Sequence, residues 1–185
     1  MDNEILNLVK NFNDIIKDAV SGPICIDPTV CRGECCFIKI NIPRVLAAYL
    51  VQKNFATWNN FERGPEFSYH IKVDLKKCRC TFFNSELNGC SLHTSNMKPP
   101  QCWVYPTGLD YDDYETQCKR ATGWQITKPK QVHKAKQILE KYIKKCKKET
   151  ESEYSVEAIN GRLLKLYNSP PPKIKPYEIA GISDK

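Results

Sequence analysis

The chain has 185 residues, a net charge of +7 and ten cysteines. A chain of this length buries a core without disulfide staples, and its most apolar early stretch, residues 38–51, is interrupted by Lys39, Asn41, Pro43 and Arg44, which speaks against a transmembrane span. The start, Met1-Asp2-Asn3-Glu4, is acidic where a secretory signal is basic. The expectation is therefore a cytoplasmic protein, in which a dense cysteine set reads as metal-binding rather than disulfide-forming.

In chain order, residues 2–20 read as an amphipathic helix. Ile5, Leu8, Val9, Phe12, Ile15, Ile16 and Val20 recur at three- and four-residue steps, Asp2 is a candidate cap, and Gly22-Pro23 ends the run. Residues 24–37 interleave thiols with turn formers and read as a loop. Residues 37–42 alternate as a short strand, and Pro43 opens a helix through Val51. Residues 54–68 show no period, and Tyr69–Leu75 alternate as a second strand. Residues 78–106 form a second cysteine block rich in turn residues. Helices follow at 129–149 and 155–168, and the tail from Ser169, with Pro170, Pro171, Pro172 and Pro176, reads as extended. No repeat of solenoid length is visible.

The domain division that follows is an N-terminal packing helix (1–24), a cysteine-cluster domain (25–127), basic C-terminal helices (128–168) and a proline-rich tail (169–185). The expected fold is α-rich and irregular, with at most a small β-sheet and with helices flanking it at both ends.

Thiolates are soft ligands suited to zinc and to iron–sulfur clusters, and a site needs about four of them. The first block holds Cys25, Cys31, Cys35 and Cys36; the second holds Cys78, Cys80, Cys90 and Cys102; Cys118 follows. None of the spacings is the C-x2-C pair of a zinc ribbon. Neighbouring side chains on extended backbone point to opposite sides. Of Cys35 and Cys36, then, either one is a ligand and the other a core residue, or two sites lie close together. Cys78 reads as a core residue and Cys146, among Lys144, Lys145, Lys147 and Lys148, as a surface thiol. His70, His93 and His133 form no paired-histidine motif. Glycines 108, 123 and 161 are isolated, so no phosphate loop is present, and Asp110, Asp112, Asp113 and Glu115 lack the spacing of a calcium loop.

The second block runs Cys80-Thr81-Phe82-Phe83, then Gly89-Cys90-Ser91-Leu92-His93, then Lys98-Pro99-Pro100-Gln101-Cys102-Trp103-Val104-Tyr105-Pro106. With the upstream run Cys31-Arg32-Gly33-Glu34-Cys35-Cys36, it resembles the YkgJ-like family of zinc- or iron-chelating cysteine-cluster proteins. The matches span residues 25–118. The chain departs from the pattern in having three residues between Cys31 and Cys35, His93 for tyrosine, and Lys98 and Trp103 for arginines. The resemblance implies a metal-ligand set of Cys25, Cys31, Cys35, Cys36, Cys80, Cys90, Cys102 and Cys118. It also implies an iron–sulfur cluster, of the four-iron type, ahead of zinc. Similar domains occur in protein lysine N-methylases, so a catalytic or accessory role in lysine modification stands beside simple chelation and beside a metal-stabilised binding module.

Residues 128–148 carry nine lysines against one acid, Glu140. Such a segment suits an anionic partner, nucleic acid or an acidic protein, or is a solvated helix face.

Overall fold

A computed structural model of the protein describes residues 3–21, 36, 40–64, 68–77, 79–107, 109 and 125–153. Residues Met1–Thr150 make up one compact unit; of the second, Glu151–Lys185, only the end of a helix, through Glu153, is described. The expected helix at 155–168 and the tail from Ser169 lie outside the described residues.

The N-terminal helix forms as its periodicity requires. Helix α1 runs Glu4–Ala19 and buries Ile5, Val9, Phe12, Ile16 and Ala19 completely. Its cap is Asn3, whose side-chain oxygen accepts the Ile5 N–H at 2.9 Å. The chain leaves α1 as strand β1 (Val20–Ser21), which pairs antiparallel with β9 (Gln125–Ile126). Helix α4 (Pro129–Glu153) starts there, and the N–H groups of Thr127 and Lys128 donate to the carbonyl of Ala19 at the end of α1. Lys145, further along α4, reaches Glu4 at 2.6 Å. The two helices therefore lie antiparallel, with Val132, Ala135, Leu139 and Tyr142 as the buried face of α4.

Pro43 ends β2 (Asn41–Pro43) and caps α2 (Arg44–Gln52), which packs Leu46, Ala47 and Leu50 inward. A single 3-10 turn, Trp58–Asn60, leads into β3 (Phe61–Arg63); β4 (Ser68–Ile71) lies between β2 and β3, antiparallel to both. Two short hairpins follow: β5 (Val73–Asp74) with β6 (Arg79–Cys80), and β7 (Phe83–Asn84) with β8 (Gly89–Cys90). Helix α3 (Gln101–Thr107) completes the order.

The α-rich expectation with at most one small sheet is thus corrected. The described residues have a mixed fold, with five antiparallel strand pairings in four small sheets beside the helices. The alternations at residues 37–42 and 69–75 overlap β2, β4 and β5, but strands of two residues elsewhere are too short for alternation to register in a sequence. The second cysteine block also has more to order it than its turn residues suggested, because Phe82, Leu92, Met97 and Trp103 all join the core.

One buried polar residue ties these parts together. Asn13, on the inner face of α1, is 1% exposed. Its amide nitrogen donates to the carbonyls of Val9 and Lys98, both at 2.8 Å, and its oxygen accepts the indole N–H of Trp103 at 3.0 Å. Replacing it with alanine removes the hydrogen bonds that it makes with the Trp103 indole N–H and the Lys98 carbonyl in the core. At one to two kilocalories for each, Asn13→Ala is expected to cost about 2–4 kcal/mol. Urea unfolding of the two proteins checks this: the midpoint falls with the slope unchanged.

Candidate metal centre

The local chemistry of residues 72–92 is that of a ten-residue unit used twice. Each hairpin opens on an apolar residue followed by an Asx residue, Val73-Asp74 and Phe83-Asn84. The Asp74 carboxylate accepts the N–H groups of Lys76 and Lys77, and the Asn84 side-chain oxygen those of Glu86 and Leu87. Each is an Asx turn that reverses the chain. The return strand ends in cysteine in both cases: Cys80 opposite Val73, and Cys90 opposite Phe83. After each cysteine comes a hydroxyl residue whose N–H bonds back across the hairpin, Thr81 to the Lys72 carbonyl and Ser91 to the Phe82 carbonyl. A buried apolar residue, Phe82 or Leu92, then anchors the unit in the core. In the second unit Asn88 takes a left-handed conformation, φ 42°, which asparagine tolerates better than most residues.

This duplication places Cys80 and Cys90 as electrostatic neighbours. The Cys80 sulfur accepts the N–H of Phe82 at 3.4 Å and a second backbone N–H from Phe83. Such donors stabilise a thiolate and are typical of the surroundings of metal-bound sulfur. Without a cation beside it, however, Cys80 holds its proton. Burial, against the two N–H bonds and with the Cys90 sulfur adding to it, pushes its thiol up to about 11.

A second thiol group lies at the contact of α3 with α4. Tyr142 is buried, and its hydroxyl meets the Gln101 side chain at 3.4 Å and hydrogen-bonds with Cys146 one turn further on. Cys102 lies close enough to add to the effect of burial and of Cys146 in holding the phenol protonated. Between the two thiol groups in sequence sits Lys98, 7% exposed, with its ammonium 4.1 Å from the centre of the Trp103 ring. His93 tilts against the same indole at 5.0 Å. Desolvation on that side, and then the Lys98 charge, lower the imidazole pKa, so His93 is neutral at pH 7. The two positions where this chain replaces the resembled pattern's arginines, Lys98 and Trp103, thus touch each other.

No protein family, curated protein or solved structure matches the chain. Its chemistry rests on its own residues.

Of the eight expected ligands, Cys25, Cys31, Cys35 and Cys118 lie outside the described residues, as does Cys78. Cys36, Cys80, Cys90 and Cys102 are all half-buried. The fold brings Cys80 to Cys90, and Cys102 and Cys146 each to Tyr142. Among the described residues, no three Cys, His, Asp or Glu side chains converge on one point. Sequence reasoning missed Cys146 as a packed residue. Its signal was its phase: it stands four residues after Tyr142 and seven after Leu139, on the inner stripe of α4. The ten-residue unit was also missed, though Asp74/Asn84, Cys80/Cys90 and Thr81/Ser91 all recur at that step.

The raised Cys80 thiol has a consequence for the metal-free protein. A thiol that ionises near 9.0 when unfolded and near 11 when folded stabilises the fold fully below pH 9 and loses that contribution as the pH climbs from 9 to 11. The loss amounts to about 2–3 kcal/mol. Unfolding curves of the metal-free protein between pH 8 and 11 are expected to show it, and Cys80→Ser to lack that component.

Proposed function

We propose that the protein binds a metal through cysteine thiolates, as an iron–sulfur cluster, four-iron by preference, or as zinc. The observation that carries the reading is the pair Cys80 and Cys90, delivered to neighbouring places by duplicated hairpins, with backbone N–H groups aimed at the Cys80 sulfur. A half-buried sulfur that receives two backbone N–H groups and stands beside a second cysteine suits metal ligation. It is well explained as a sulfur awaiting a cation, which displaces the proton and satisfies the donors at once. The donor set fits a soft metal: Cys80 and Cys90 would hold it together with thiols drawn from Cys25, Cys31, Cys35, Cys36, Cys102 and Cys118. When bound, the metal would supply either a structural cross-link or an electron-accepting centre. The resemblance to the cysteine-cluster family supports the same reading.

Lys98 adds to it. Four thiolates around zinc, or around a four-iron cluster, leave a net negative site. A buried ammonium held on the Trp103 face offsets such charge.

The exposed lysines of α4 favour a second reading, in which the protein also engages an anionic partner, nucleic acid or an acidic protein, and the metal supports its fold. No described helix is long and apolar enough to cross a membrane.

Anaerobic purification followed by metal and sulfide analysis and an absorption spectrum tests the first reading. A cluster gives stoichiometric iron and sulfide with a broad visible band; zinc gives a colourless protein with stoichiometric zinc. Cys80→Ser and Cys90→Ser each lower the metal content, while Cys146→Ser leaves it unchanged. Metal-free wild-type protein with undiminished thermal stability sinks the reading. Because Phe82, Leu92, Met97 and Trp103 hold the block to the core without metal, chelation is expected to lower the melting temperature by several degrees yet leave the helical signal in place.

A further inference from the structure

From the geometry of α4 we infer that the protein binds the phosphate backbone of nucleic acid along one lysine stripe. The inference rests on the binding-role reading and is independent of the metal. The buried face of α4 is set by Val132, Ala135, Leu139 and Tyr142, so the register of its outer face is fixed by the core. Directly opposite lie Lys130, Lys134, Lys141, Lys144 and Lys148, all exposed. Their steps of four, seven, three and four residues keep them on a single line, with Gln137 filling the gap. At 1.5 Å per residue the line is about 27 Å long. Lys136 and Lys145 are half-buried at the flanks, and Lys145 is engaged by Glu4. Between Pro129 and Lys148 the only acid is Glu140; the sequence turns acidic just beyond, at Glu149, Glu151 and Glu153.

This line opposes the stability of its own helix. Lys130/Lys134, Lys141/Lys144 and Lys144/Lys148 are like-charge pairs one turn apart, each unfavourable by a few tenths of a kilocalorie. A polyanion laid along the stripe relieves all of them.

Which polyanion is decided by what surrounds the charge. A helix that binds an anionic membrane inserts an apolar face beside its basic one. The apolar face of α4 is in the core, and Ile143, 43% exposed, is the only large apolar side chain exposed among its described residues. An acidic protein would need an apolar centre to its interface, which the stripe also lacks. Evenly spaced cations without apolar neighbours match a phosphate backbone, whose affinity is carried by charge alone and is indifferent to base sequence.

The test uses the full-length protein with a fluorescein-labelled 20-base-pair DNA duplex and a 20-nucleotide single-stranded RNA, by anisotropy between 50 and 200 mM KCl. Five neutralised phosphates give log affinity against log salt a slope of about −4.5 on the duplex and a smaller one, about −3.5, on the single strand. The stripe variant, with Lys130, Lys134, Lys141, Lys144 and Lys148 changed to Gln, is expected to lose at least about tenfold in affinity at 50 mM and most of the slope. A control with the same change in net charge, Lys10, Lys17, Lys53, Lys76 and Lys77 to Gln, retains both. Circular dichroism and metal content of each variant, unchanged from wild type, separate this result from failure of the fold or of the metal reading. Absence of binding to either probe at 50 mM overturns the inference. So does an equal loss in the control, or tighter binding to phosphatidylserine vesicles or polyglutamate than to either nucleic acid.

Discussion

The carboxamide of Asn13 is the constraint on which the rest of the structure depends. It sits in the core on α1 and is satisfied on both its nitrogen and its oxygen. An amide buried without partners is costly, and with partners it fixes their positions more tightly than apolar packing would. Through the Lys98 carbonyl and the Trp103 indole it sets where the segment preceding α3 meets the first helix. The cation–π stack of Lys98 on Trp103, the tilt of His93 and the start of the helix that carries Cys102 all follow from that placement.

The hairpin pair solves a different problem. Two thiols must be brought near each other although burial holds Cys80 protonated. Repeating one unit of turn, return strand, cysteine, hydroxyl residue and apolar anchor achieves the approach with local interactions, because each Asx turn closes its own hairpin. The two anchors, Phe82 and Leu92, then seat the units against the core. The burial that seats them also raises the Cys80 thiol and couples the ionisation of that site to folding.

Helix α4 joins the two halves of the chemistry. Its inner stripe ends in Tyr142 and Cys146, which face Gln101 and Cys102 of α3, while its outer stripe is cationic. The ion pair from Lys145 to Glu4, which lowers the pKa of Glu4, adds a polar contact at the edge of the same helix pair.

Long elements were legible in the sequence because their periods extend over several turns. The face of α1 from Ile5 to Ile16, the entry of α2 at Pro43 and the lysine-rich course of α4 all follow from spacing and composition, since burial of an apolar stripe needs nothing more than one side facing a core. Cysteine chemistry was legible as residue type. The alternations at 37–42 and 69–75 marked β2 and β4, but the two-residue hairpin strands were not legible, because two residues carry no measurable alternation, and their pairing depends on side-chain oxygens closing turns at Asp74 and Asn84. Nor was the meeting of Cys102 with Tyr142, 40 residues apart in the chain, or of Asn13 with Trp103. Proximity between distant residues is created by the packing of whole elements and has no local signature. What the residues by themselves determined was which segments are helical, which faces are charged and where the thiols lie along the chain; only tertiary packing decided which sulfurs stand together, which lose solvent, and which lysines share a line.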